Sequence, residues 1–304
     1  MNTIELYNKL KQKMPNANVQ YDASLQGYTF TKTGGHADLL VFPRSYDDVV
    51  SAYAFAKDHL LPFTILGNGS NLIIKDGGIR GLVVILTELN QIRVEGDAII
   101  AQSGAAIIDV SKTALMHDLT GLEFACGIPG TAGGALFMNA GAYGGEVKDV
   151  LESAIVMDQD GVIRQLNRDE FDFSYRSSIF AKNHYCVLEG TFRCKKGDHA
   201  AIKAKMDELT YLRESKQPLE YPSCGSVFKR PPNHFAGKLI QDSGLQGHQI
   251  GGVQVSTKHA GFMVNVDNGT ASDYIALIKH VQETVNNQFG VQLETEVKVI
   301  GEDK

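Results

Sequence analysis

The sequence predicts an α+β protein of more than one domain, and three observations point there. Hydrophobic residues make up 43% of 304, enough to fill the cores of two or three domains. Strand-like apolar runs and amphipathic helical patterns succeed one another along the whole chain. Pro218, Pro222, Pro231 and Pro232 interrupt that pattern with a segment that cannot be regular, which sets a domain boundary near Leu212.

Each element follows from its pattern. MNTIELYNKLKQKM reads as a short amphipathic helix and lacks the apolar core of a signal peptide. DLLVF (38–42) reads as a strand, Pro43 to Ser45 as a turn and cap, and YDDVVSAYAFAKDHL as an amphipathic helix ending before Pro62. The next strand, FTIL (63–66), completes a βαβ unit and runs directly into GNGSN (67–71). LIIK and LVVIL suggest short strands, QIRVEGDAIIAQ a hairpin around Gly96 and Asp97, and residues 108–119 a helix. SAIVMDQDGVIRQL is expected to turn at Asp160 and Gly161, CVLEGTFRC to form a strand, and residues 198–214 a polar helix. Beyond the prolines, a helix is expected at 236–243, strands near 252–256 and 262–266, and a helix over 273–289. In that last helix Tyr274, Leu277, Ile278, Val281, Val285 and Phe289 recur at core spacing. TEVKVI reads as a closing strand with Glu296 at its edge.

Composition excludes several classes. The 31 glycines have no collagen period, and no apolar stretch approaches the ~20 residues of a membrane span. Cys126, Cys186, Cys194 and Cys224 form no CxxC pair and read as free thiols, which with the leaderless N-terminus predicts the cytosol. A net charge of −6 argues against nucleic acid. Between Tyr211 and Ile240, however, five basic residues (Arg213, Lys216, Lys229, Arg230, Lys238) against two acidic ones (Glu214, Glu220) leave a local +3. That stretch suits a small anion, although a solvated basic face is the commoner meaning of such an excess.

The glycines are unevenly spread: five lie between Gly67 and Gly81, and eight between Gly121 and Gly145. GNGSN after a buried strand can aim successive N–H groups at a phosphate. It is not a Rossmann fingerprint, since Leu72 and its successors read as strand rather than helix, and alone it is more often a tight turn. No GxxxxGK[ST], GxSxG or HExxH motif is present. The second cluster, GLEFACGIPGTAGGALFMNAGAYGGEV, would let backbone pass close to a planar ring or pyrophosphate, and two such loops favour a dinucleotide.

TKTGGHADLLVFP, ILGNGSNLIIKDGGIRGLVV and CGIPGTAGGALFMNAGAYGGE resemble the FAD-binding region of the UDP-N-acetylenolpyruvoylglucosamine reductase family, and FSYRSSIF, PSCGSVFKRP and LETEVKVIG resemble its catalytic stretches in the same order. The resemblance implies two α+β subdomains (1–61 and 62–211) forming an FAD region of the PCMH or vanillyl-alcohol-oxidase type over about 34–198, followed by an α+β substrate-binding domain at 212–304. It implies reduction of UDP-N-acetylglucosamine enolpyruvate to UDP-N-acetylmuramate for peptidoglycan, with NADPH as co-substrate. Arg176 and Glu296 take the positions of the family's catalytic arginine and glutamate, which stabilise the enolate-like charge, and Ser226 that of its proton donor. Without the family match, the three would read as a structural ion pair, an edge carboxylate and an ordinary turn serine.

Flavin contacts are implied for Gly67, Asn68, Gly69, Ser70 and Asn71, for Gly127, Ile128, Pro129, Gly130, Thr131, Gly133, Ala140 and Gly141, and for Arg213; Lys216 and Arg230 would meet the UDP pyrophosphate. Arg230 stands where some family members have asparagine. No His or Cys occurs in residues 67–71, so FAD is expected to be dissociable. No metal is implied, and a cytoplasmic monomer or weak homo-oligomer is expected. AKNHYCVLEG leaves no room for the inserted tyrosine loop of one subclass, so the shorter subclass is expected. Two other readings are an oxygen-dependent flavin oxidase of the same FAD fold, which would not need NADPH, and a non-catalytic nucleotide-sugar-binding protein, which would need no FAD.

Overall fold

A computed structural model describes residues 2–304, which divide into two compact units. The first comprises residues 2–21, 39–68 and 81–213, the second residues 22–38, 69–80 and 214–304.

A four-stranded sheet, whose strands lie mostly in the first unit, has the order Asn18–Ser24, His36–Phe42, Ile79–Ile85, Phe63–Leu66, its last two strands parallel. Its helices are specified locally. Tyr46–Asp58 begins in a capping box, Ser45 accepting from the Asp48 N–H while Asp48 accepts from the Ser45 N–H, and it buries Val49, Ala52, Phe55 and Ala56. A five-stranded antiparallel sheet follows the order Ile163–Asn167, Leu151–Met157, Cys186–Arg193, Ala98–Gln102, Ile92–Glu95. Both expected hairpins are present in it. The expected helix at 108–119 is shorter, Ile107–Met116, because Asp118 takes a left-handed φ of 54°.

Several elements of this unit lacked a sequence signal, two of them large enough to matter here. Asn18–Ser24 is a strand whose residues are mostly exposed, so no apolar alternation marked it. Ala132–Met138 is a helix inside the second glycine cluster despite the low helix propensity of Gly133 and Gly134. Its ends explain it: Thr131 Oγ1 accepts from the Gly134 N–H at 3.2 Å, and Asn139 closes it in the left-handed conformation.

In the second unit, Ser223–Ser226, Phe262–Asn265, Val253–Val255 and Gln249–Ile250 form an antiparallel sheet in that order. Helix Ala271–Phe289 packs its Tyr274, Leu277, Ile278, Val281 and Val285 into the core. Thr270 and Asp273 cap its start, and Asp76 accepts from the Ala271 and Ser272 N–H groups there. The closing strand is shorter than expected. Only Lys298–Ile300 is strand, parallel to Leu72–Ile74, and Glu296 precedes it instead of lying on it.

All four cysteines are free thiols. Burial pushes those of Cys186, Cys194 and Cys224 up from 9.0 to about 12. Burial, helped by the hydrogen bond to Glu189, raises the Tyr46 phenol from 10.0 to about 12. These protons are held more tightly in the folded chain than in the unfolded one, so their contribution is complete below about pH 9 and is lost as pH climbs towards 12. The melting temperature should therefore fall steadily above pH ~9. Ellman's reagent should find one fast thiol, the partly exposed Cys126, and three that react only on unfolding.

Candidate active site

In the first unit the two glycine clusters meet. Asn68 Nδ2 donates to the Pro129 carbonyl at 2.9 Å, and a Cβ on Gly67 would stand 2.7 Å from Thr131 Oγ1. The second loop is anchored in turn: Gly130 O accepts from Ile107 N at 3.0 Å, while Ala132 N and Gly133 N donate to Ala105 O and Ser103 O at 2.7 and 2.9 Å. Ile128 N donates to Ala125 O, Ala140 N to Ala135 O, and Gly141 pairs with Glu146 in a short hairpin. Several glycines are already required by this packing. A Cβ on Gly133 would reach within 1.9 Å of Ser103 Oγ, and one on Gly127 within 2.7 Å of Arg213 Cδ.

Arg213 lies on helix His199–Lys216 with its stem across Gly127. Burial lowers its pKa, which marks a guanidinium short of solvent. Among the described residues it forms no ion pair. A half-buried cation that forms no ion pair among the described residues, beside the second glycine loop, has the charge and the surroundings to take an anion such as a dinucleotide phosphate or the polar edge of a flavin. These residues fit FAD.

Arg176 sits elsewhere in the same unit, in a two-residue turn closed by reciprocal Ser174 and Ser177 backbone hydrogen bonds of 3.1 Å. Its φ of 54° is a conformation that most side chains avoid, so the surroundings must enforce it. The enforcing groups were not found from the sequence: Ser178 Oγ donates to Phe137 O at 2.7 Å, and Asn139 Nδ2 donates to Ser174 O at 3.2 Å. The trace it leaves in the sequence is an Asn followed by small residues, a pattern able to end a helix in the left-handed conformation.

The second unit brings Ser226 and Glu296 together. Strand Ser223–Ser226 is irregular, slipping register between Ser223 and Ser226, with Gly225 at φ 76° and open space where its Cβ would be. The slip leaves Ser226 exposed while Cys224 and Val227 are buried. Glu296 N donates to Val227 O at 2.7 Å, directly after Ser226, and Phe228 bridges Thr295. Asn71 completes the cluster: its Nδ2 donates to Glu296 O at 3.3 Å, and its carbonyl accepts from Lys298 N at 3.1 Å.

GNGSN is thus divided. Gly67 and Asn68 belong to the first unit, while Gly69, the half-buried Ser70 and Asn71 belong to the second. Gly69, at φ 69°, passes so close to residue 28 that a Cβ would lie 2.2 Å from the Tyr28 carbonyl. The two substrate candidates are both exposed. Lys216 ends helix His199–Lys216, and the Arg230 guanidinium stacks 4.1 Å from the Phe235 ring centre.

Comparison with known proteins decides what this assembly is. Residues 37–167 match the FAD binding domain model, and residues 217–300 match the model of the UDP-N-acetylenolpyruvoylglucosamine reductase C-terminal domain. The chain is 62% identical over 304 residues to UDP-N-acetylenolpyruvoylglucosamine reductase 2 of Bacillus cereus (strain ATCC 14579), covering 100% of both chains. The chain belongs to the UDP-N-acetylenolpyruvoylglucosamine reductase family. Another member, from Staphylococcus aureus (strain COL), is 58% identical over 298 residues, covering 98% of this chain and 97% of that one. The crystal structure of the Thermus caldophilus reductase superimposes with a TM-score of 0.80 at 30% identity, covering 93% of this chain and 98% of that one. The fold class is thereby α+β with an FAD-binding domain and the family's C-terminal domain. No helix is long and apolar enough to cross a membrane among the described residues.

Proposed function

We propose that this chain is an NADPH-dependent flavoenzyme that reduces UDP-N-acetylglucosamine enolpyruvate to UDP-N-acetylmuramate. What carries the reading is full-length identity of 62% to a named reductase in a chain whose second glycine loop lies against Arg213, a cation with no ion pair among the described residues. Residues 1–61 and 62–211 would form the FAD-binding subdomains, and residues 212–304 the substrate-binding domain. The glycine loops and Arg213 would hold FAD non-covalently, and Lys216 and Arg230 would meet the substrate pyrophosphate as cations. The enzyme would work in the cytoplasm as a monomer or weak homo-oligomer.

When bound, FAD would supply the two-electron hydride chemistry that links NADPH to the enolpyruvyl methylene carbon. The chain's own residues manage the charge and the proton. As negative charge moves onto the substrate carboxylate, Arg176 would meet it with a planar, permanently charged fork already set in its turn. Glu296 would assist as a hydrogen-bond donor, which requires its protonated form. Ser226 would give its hydroxyl proton to the carbon adjacent to the methylene; a serine is a weak acid, but an enolate carbon is basic enough to take the proton from an aimed hydroxyl.

The deciding experiment is anaerobic stopped-flow absorbance. Purified protein should be yellow, be bleached by NADPH and regain colour on addition of the enolpyruvyl substrate. Protein that cannot be loaded with FAD would overturn the reading in favour of a nucleotide-sugar binder. Rapid oxygen uptake with a hydroxylated substrate in the absence of NADPH would point to an oxidase instead.

A further inference from the structure

The helix that grows out of the second glycine loop and the turn that carries Arg176 are joined by one side chain. Asn139 is 1% exposed and ends helix Ala132–Met138 at φ 44°. Capping needs only its left-handed backbone, which glycine would adopt at less cost. The side chain does something else. Its Nδ2 donates to Ser174 O at 3.2 Å and to Glu146 Oε2 at 2.8 Å, and its Oδ1 accepts from Lys148 N at 3.0 Å. Both N–H donors and the carbonyl oxygen of this buried amide are engaged.

Ser174 opens the two-residue turn, so this bond grips one end of it. Ser178, just past the other end, is fully buried and donates to Phe137 O in the last turn of the same helix. The turn is therefore fastened on both sides to the C-terminal end of a helix whose N-terminal end is the Thr131 cap of the glycine loop. Glu146, the other partner of Asn139, receives Lys148 Nζ at 3.0 Å. Its pKa is held down chiefly by the Lys148 hydrogen bond, with smaller contributions from Asn139 and from the charge of Arg176.

We propose that Asn139 is a positioning residue for Arg176, holding its strained turn in register with the glycine-loop helix so that the guanidinium is aimed before substrate arrives. This rests on the catalytic reading of Arg176. Pre-set geometry of this kind matters because displacement of a charge-stabilising group by ~1 Å costs on the order of 10²-fold in rate.

The test is Asn139→Gly, which keeps the left-handed cap and removes the amide. The FAD-loaded variant should retain its flavin spectrum and be bleached by NADPH at the wild-type rate. Its recolouring by the enolpyruvyl substrate should slow by about 10²-fold, mainly in kcat. In an Arg176→Ala background the same change should have no further effect, because a residue that acts through the arginine has nothing left to act on. Wild-type recolouring in Asn139→Gly, beside a crippled Arg176→Ala, overturns the positioning role. So does a loss that persists undiminished in the double variant. A normal rate in Arg176→Ala overturns the reading of Arg176 instead, so the two failures are distinguishable. If Asn139→Gly does not fold, Asn139→Asp decides: it keeps the acceptor for Lys148 N but sets a carboxylate against Glu146 and Ser174 O. Its recolouring rate relative to wild type at the same pH should recover as pH falls and the introduced acid regains a donor proton; a ratio that stays flat with pH overturns the proposal.

Discussion

Ser226→Ala protein should be bleached by NADPH at the wild-type rate and yet turn over the enolpyruvyl substrate about 10²- to 10⁴-fold more slowly, the usual worth of a positioned proton donor. The structure makes the substitution a clean one. Ser226 is exposed at the end of a slipped strand, its hydroxyl makes no hydrogen bond to the described residues, and buried Cys224, Val227 and Phe228 hold the backbone around it. Removing one exposed oxygen should leave the melting temperature unchanged within a degree or two, since surface substitutions usually stay within ±0.5 kcal/mol. Single-turnover absorbance separates the two half-reactions. If both slow equally, Ser226 is not the proton donor and the bulge serves another purpose.

The second large effect is expected at Arg213, and it has opposite signs in two assays. Arg213→Met keeps an apolar stem against Gly127 and removes the charge. A charge-assisted hydrogen bond contributes ~1.5–3 kcal/mol, so FAD affinity should fall by about 10- to 150-fold, as read by flavin fluorescence quenching. The flavin-free protein should melt no lower than wild type, because a guanidinium whose pKa is lowered by burial and which forms no ion pair among the described residues is a cost to the empty fold. Unchanged FAD affinity would remove Arg213 from the cofactor site. A destabilised flavin-free protein would make it a structural residue.

Much of the fold was legible because burial imposes a period. The Tyr274 to Val285 face of the last long helix is hidden from water, and that helix, strand FTIL and the hairpins at Gly96 and Gly161 each formed as read. Asn18–Ser24 was not legible, since it hides too little to leave a pattern. Nor was the helix at Ala132–Met138, whose glycines argue against it and whose caps alone explain it. Glu296 was expected on a strand because TEVKVI alternates. In the fold its N–H is taken by Val227 O, and ladder pairing begins only at Lys298.

The sequence by itself determined the family, the catalytic candidates Arg176, Ser226 and Glu296, and the expectation that both glycine clusters serve one dinucleotide, because long motifs and local periodicity are properties of neighbouring residues. Only the tertiary structure decided which groups those residues meet. Gly133 is glycine because Ser103 lies against it, Arg213 forms no ion pair among the described residues, GNGSN is shared between two units, and Asn139 holds the turn of Arg176. Each of these depends on approach between atoms far apart along the chain. Such approaches leave no periodic trace in the sequence, since a close contact constrains the size and charge of one residue without repeating along the strand or helix that carries it.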